Sequence, residues 1–123
     1  MKLRGNAMGM EHRGKGVDMQ LGPVAGPLGR VPEGGRNWEG KLMCLLGNPV
    51  TQSHKTIGFS PDPVLTGVAM QQTVQGIQDA GVIACAKHYI MNEQEHFRES
   101  TGTTEFAYSA NVDDKTMHEL YLW

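Results

Sequence analysis

The run KHYIMNEQEHFRES sets Lys87, His88, Asn92, Glu93, Glu95, His96 and Arg98 within twelve residues. Amine, imidazole, amide, carboxylate and guanidinium groups at this density can ring a small polar ligand with donors and acceptors. A second polar run, Gly22 to Gly40, reads GPVAGPLGRVPEGGRNWEG and carries Arg36 between two glycines and an aromatic. Each of these groups also has a structural role open to it. Lys87 can emerge into solvent at a strand end, His88 can be a satisfied, half-buried histidine, and Arg36 can bridge two loops. His88 and His96 stand eight residues apart and match no helical pair of metal ligands. Glu93 and Glu95 would stand on opposite sides of a helix, and pairing them as acid and base has no support in the pattern.

Both polar runs follow apolar segments. Asp62 and Pro63 open the best-defined element as N-cap and first helical residue, and Leu65, Val68, Ala69, Thr73, Gly76, Ile77 and Ala80 recur at helical spacing before Gly81 ends it. VIACAKHYI follows without alternation, which predicts a strand buried on both faces, with Cys85 inside. The earlier chain has the same order: a helix over 3–12, a strand over 17–21, then the glycine- and proline-rich loop. VDDKTMHELYLW begins another helix, capped by Asp113 or Asp114, with Met117, Leu120 and Tyr121 on one face. Helix, strand, loop, helix, strand, loop, helix implies parallel strands with helices outside, in a (β/α) barrel or an open doubly wound sheet. Two strands complete neither, so the chain is expected to be an internal slice of a larger domain. In both architectures the functional loops follow the carboxyl ends of the strands, where the two polar runs fall.

Composition removes several classes. Eleven basic and thirteen acidic residues give a net charge of -2 without runs of either sign, which leaves no electrostatic footprint for nucleic acid. No apolar stretch approaches the length needed to span a membrane, and the start MKLRGNAMGMEHRGKG lacks the apolar centre of a signal peptide. Cys44 and Cys85 lack the paired spacing of a zinc site. The glycines of GPVAGPLGR match neither nucleotide fingerprint, and its prolines remove N–H groups that a phosphate cradle would use. No cofactor or metal is expected.

EHRGKGVDMQLGPVAGPLGR, PEGGRNWEG, GFSPDPVLTG, GIQDAGVIACAKHYIMNEQEHFR and NVDDKTMHELYLW occur in that order in fungal β-glucosidases of glycoside hydrolase family 3, and the chain resembles their N-terminal catalytic domain. The resemblance implies part of a (β/α)8 TIM-type barrel, not closable by this chain alone, and a retaining mechanism with a carboxylate nucleophile and a carboxyl acid/base. The family nucleophile lies in a Ser-Asp-Trp motif and the acid/base in a second domain; neither motif occurs here. Asp113 and Asp114 do not match the nucleophile. By resemblance Arg36, Lys87, His88 and Arg98 hold sugar hydroxyls, so the substrate is a β-glucoside or cello-oligosaccharide and the rest of the parent chain is a required partner. The parent enzyme is expected to be secreted, and these 123 residues are expected to be inactive alone. The alternative function is a non-catalytic carbohydrate-binding or regulatory module.

In the family NWEG runs into FSPDP through one glycine, whereas here Lys41 to Ile57 intervene. Gly-Lys and Ile-Gly at the two edges can be encoded by splice donor and acceptor sequences. The eighteen codons from Lys41 to Gly58 match a short fungal intron and keep the frame. A retained intron is the expectation; a natural loop extension competes with it.

Overall fold

The computed structural model describes residues 1–27, 29, 30, 34, 36, 59, 62–100, 102 and 106–122. The expected insertion, 41–57, lies outside them. The elements are α1 (Lys2–Gly14), β1 (Met19–Gln20), α2 (Pro63–Asp79), β2 (Ile83–Ala84) and α3 (Asp114–Thr116), the last continuing as a π-helical turn over Met117–Tyr121. This is the order read from the sequence, with shorter strands.

Two local rules make the repeating unit. Asp62 caps α2, its carboxylate accepting from the Leu65 N–H at 2.9 Å, and Pro63 starts the helix. At the other end Gly81 takes a φ of +79°, its N–H donates to the Gln78 carbonyl at 2.8 Å, and the Val82 N–H donates to that of Ile77 at 3.4 Å. These are the paired bonds of a Schellman turn, and the buried side chains of Val82 and Ile77 supply its apolar contact. α1 ends in the same way: Gly16 has φ +76°, its N–H donates to Arg13, and the Val17 N–H donates to the His12 carbonyl at 3.0 Å. Each helix is thereby turned directly into the following strand.

β1 and β2 pair in parallel, Met19 opposite Ile83 and Gln20 opposite Ala84. The ladder runs past both strands, from Ile83 N–H to Asp18 O at 2.8 Å, through Cys85 N–H to Gln20 O, to Lys87 N–H on Pro23 O at 3.1 Å. α1 and α2 lie against each other along a seam of glycines. A methyl group on Gly76 would collide with the Lys2 carbonyl and the Asn6 N–H, and one on Gly5 with the Thr73 carbonyl. The short approach lets the Asn6 amide donate to the Gly76 carbonyl at 3.3 Å.

Three expectations are corrected. β2 is not buried on both faces: Ile83 is 55% exposed, and Cys85 is only half-buried. β1 and the residue after it show the same asymmetry, with Gln20 buried and Met19 and Leu21 exposed. The helices cover one face of the pair, and among the described residues nothing covers the other. The packing stripe of α2 is Thr66, Ala69, Thr73, Gly76 and Ile77, while Leu65 and Val68 are exposed beside it. In the last element Asp113 is the cap, accepting from the Thr116 N–H at 2.9 Å, and Leu120, within the π-helical turn, is exposed. The bond from Thr116 holds the Asp113 carboxyl below its ordinary value.

Candidate functional site

The parallel ladder delivers both polar runs to one edge. Beyond β1, Val24 is fully buried and pairs in parallel with Lys87, whose carbonyl accepts from the Ala25 N–H at 3.1 Å. Lys87 therefore stands where the two strands end. The Lys87–His88 and Tyr89–Ile90 peptide bonds are cis.

Arg36 comes from the first loop and is seated on the second. Its N–H donates to the Glu93 carbonyl at 3.0 Å, its Nε to the Asn92 carbonyl at 3.3 Å, and the Glu95 N–H donates to the Gly34 carbonyl at 2.7 Å. His88 Nδ1 lies 3.2 Å from the Arg36 carbonyl. A carbonyl only accepts, so Nδ1 carries the proton in this contact, and Nε2 of the neutral ring is the acceptor. The second loop is held from behind by Tyr108, whose hydroxyl donates to the Gln94 carbonyl at 3.1 Å and whose N–H donates to Phe97 O at 2.9 Å.

These contacts border a cavity of about 490 Å³. That volume is within the range of small-molecule sites. Its lining includes Ala25 to Pro27, Arg36, Lys87, His88, Asn92 and Glu93, the α2 residues Thr66 and Met70, and Glu119 to Tyr121. Burial, followed by the charge of Glu93 and a hydrogen bond to it, pushes the Tyr121 phenol up to about 12.

Of the residues singled out in the sequence, Arg36, Lys87 and His88 meet at the cavity. Arg98 does not line it. Its Nε donates to Glu95 Oε2 at 3.0 Å and its Nη1 to Glu99 Oε1 at 2.6 Å, and it reaches Arg36 through Glu95, which also accepts from Arg36 Nη1 at 3.3 Å. The hydrogen bond from Arg98 is the largest influence holding the Glu95 carboxyl below its usual range, against an opposing pull from desolvation; Arg36 adds to it. Reciprocally, Glu95 and then Glu99 raise the Arg98 guanidinium. Glu93 lines the cavity, whereas Glu95 bonds to the two arginines. The wall made by Glu119 to Tyr121 is absent from the sequence reading, since no local signal ties a helical face to a loop so far away in the chain. Among the described residues no three histidine, cysteine, aspartate or glutamate side chains converge as a metal site.

The fold and the rim together define a parallel β/α unit with a cavity at the carboxyl ends of its strands. Over 98% of its length the chain is 56% identical to the probable β-glucosidase A of Emericella nidulans, 58% to that of Aspergillus oryzae and 55% to β-glucosidase 1 of Aspergillus aculeatus, and it spans 13% of each. Among solved structures, 98% of the chain superposes on 12% of DesR, a β-glucosidase from Streptomyces venezuelae in complex with D-glucose, at 33% identity and a TM-score of 0.68. β-Glucosidase 3B from Thermotoga neapolitana in complex with glucose matches 76% of the chain and 10% of its own, at 31% identity and a TM-score of 0.52. No family model matches. Nearly the whole chain is thus homologous to one stretch of the β-glucosidases, about an eighth of their length.

Proposed function

We propose that this chain is a β/α portion of the catalytic barrel of a retaining β-glucosidase of glycoside hydrolase family 3, a secreted enzyme that removes terminal β-D-glucosyl residues from cellobiose and aryl glucosides. The observation that carries this reading is the convergence of Arg36, Lys87 and His88 on one cavity at the strand ends, in a chain at least 55% identical to fungal β-glucosidases. In that reaction a carboxylate attacks the anomeric carbon as the glycosidic bond breaks, the leaving oxygen takes a proton from a carboxyl group, and water then releases the sugar. Both carboxyl groups belong to parts of the enzyme outside these 123 residues. This portion holds the glucose ring. Lys87 and Arg36 give charge-assisted hydrogen bonds to ring hydroxyls, and His88 accepts through Nε2 while its Nδ1 is fixed on the Arg36 carbonyl. Bonds of this kind strengthen as the ring distorts toward the oxocarbenium-like transition state, which is where binding accelerates the reaction.

The test is Lys87→Met in the complete protein. A charge-assisted hydrogen bond contributes about 1.5–3 kcal/mol, so kcat/KM for an aryl β-glucoside should fall about 10- to 100-fold. A value within twofold of the parent protein refutes the assignment.

The segment Lys41 to Ile57 is proposed to be translated intron, supported by its edges and by the continuity of GRNWEG and GFSPDP in the family. Sequencing the gene beside its mature message decides this: a spliced message that still encodes KLMCLLGNPV overturns the proposal.

A further inference from the structure

We propose that Glu95 is a positioning residue, a single carboxylate that sets the guanidinium of Arg36 at the cavity and anchors it to Arg98 behind. The inference rests on the reading that Arg36 contacts the sugar. Arg36 enters the site on a loop that carries a glycine on its approach, and a glycine-rich backbone does little to fix the direction of a long side chain. Its aim is set instead by what the second loop offers. The Asn92 carbonyl takes Nε at 3.3 Å, and Glu95 Oε2 takes Nη1 at 3.3 Å, so the guanidinium plane is held at two points.

Glu95 is itself fixed from two sides. Its N–H is tied to the Gly34 carbonyl at 2.7 Å, which locks the backbone under the carboxylate to the loop that carries Arg36. Arg98 then grips the carboxylate with two donors, Nε to Oε2 at 3.0 Å and Nη2 to Oε1 at 3.4 Å, while its remaining Nη1 is taken by Glu99 at 2.6 Å. The Arg36 side chain is 18% exposed, against 57% for Glu95. Arg36 lines the cavity, and Glu95 joins it to Arg98, whose side chain is 31% exposed. A contact residue whose support is a second layer of charged hydrogen bonds loses its geometry when that layer is removed, even though no contact to the ligand is deleted.

The experiment is a double-mutant cycle in the complete protein, read as the inhibition constant for D-glucose against aryl β-glucoside hydrolysis. Glu95→Gln, Arg36→Ala and their combination are compared with the parent. The inhibition constant reports on folded, active molecules, so a variant that merely lowers the folded fraction leaves it unchanged. Glu95→Gln should raise it about tenfold in the parent background and less than twofold beside Arg36→Ala, because a residue acting through Arg36 has nothing left to position. Glu95→Asp, which still accepts from an arginine, should recover part of the loss. An unchanged constant in Glu95→Gln, or an undiminished effect beside Arg36→Ala, overturns the inference while leaving the sugar site standing. If Arg36→Ala and Lys87→Met both leave the constant unchanged, the sugar-site reading falls with it.

Discussion

Replacing Gly76 by alanine should loosen the helix pair, although alanine is the better helix former. Gly76 lies within α2, where the exchange by itself favours folding by about 0.8–1.0 kcal/mol. The added methyl, however, would meet the Lys2 carbonyl oxygen, would come to 2.7 Å from the Asn6 nitrogen, and to 3.0 Å from the Gly5 carbonyl carbon. All three are backbone atoms of α1, so no side chain can swing aside, and the helices must separate. Overpacking of this kind costs about 1–3 kcal/mol. The separation also stretches the 3.3 Å bond from Asn6 to the Gly76 carbonyl. The net loss is about 1–2 kcal/mol, roughly a tenfold change in the folded-to-unfolded ratio. Gly67 is the internal control. It lies in the same helix, is exposed, and an added methyl there has nothing within 4 Å, so Gly67→Ala keeps only the propensity gain. Urea unfolding of the complete protein, followed by far-UV circular dichroism, should place the Gly76→Ala midpoint below that of the parent and Gly67→Ala above it, with slopes unchanged. A Gly76→Ala midpoint equal to or above the parent's refutes the close-packed seam.

Asp62→Ala removes the cap bond of 2.9 Å to the Leu65 N–H and should cost about 1 kcal/mol in the same titration; no shift of midpoint would count against the cap. The raised phenol of Tyr121 favours its protonated form in the folded chain, so its contribution to stability is intact below pH 10 and is lost as pH rises from 10 to about 12. Phenolate absorbance should show one tyrosine titrating late, and Tyr121→Phe should delete that component; a variant that retains it contradicts the Glu93–Tyr121 contact. The 123-residue chain alone, carrying neither of the carboxyl groups the reaction needs, should give no turnover of an aryl β-glucoside above an inert-protein control.

Much of the frame is legible in the residues because it is set locally. The Asp62-Pro63 start, and a glycine at the end of each helix, specify where α2 begins and where both helices turn into strands, and the helix–strand repetition specifies parallel pairing. What fails is knowledge of neighbours. An apolar run such as Val82 to Cys85 says that both faces suit burial, yet whether each is covered depends on elements far away, and Ile83 is left half in solvent. The same limit applies to Leu65 and Val68, which fit the helical period as well as the residues that pack. At the site, Lys87 and His88 are readable as a strand-end pair, but the brace from Arg36 to Glu95 joins residues 59 positions apart. A contact of that separation leaves no mark in the local pattern. Tyr121 against Glu93 is hidden for the same reason.

The measurement that bears most directly on the account is a crystal structure of the complete protein with D-glucose bound. The sugar should lie at the carboxyl ends of β1 and β2, with Arg36, Lys87 and His88 within hydrogen-bond distance of its hydroxyls and Glu95 between Arg36 and Arg98. Glucose seated elsewhere, with these three side chains turned to other partners, would contradict it.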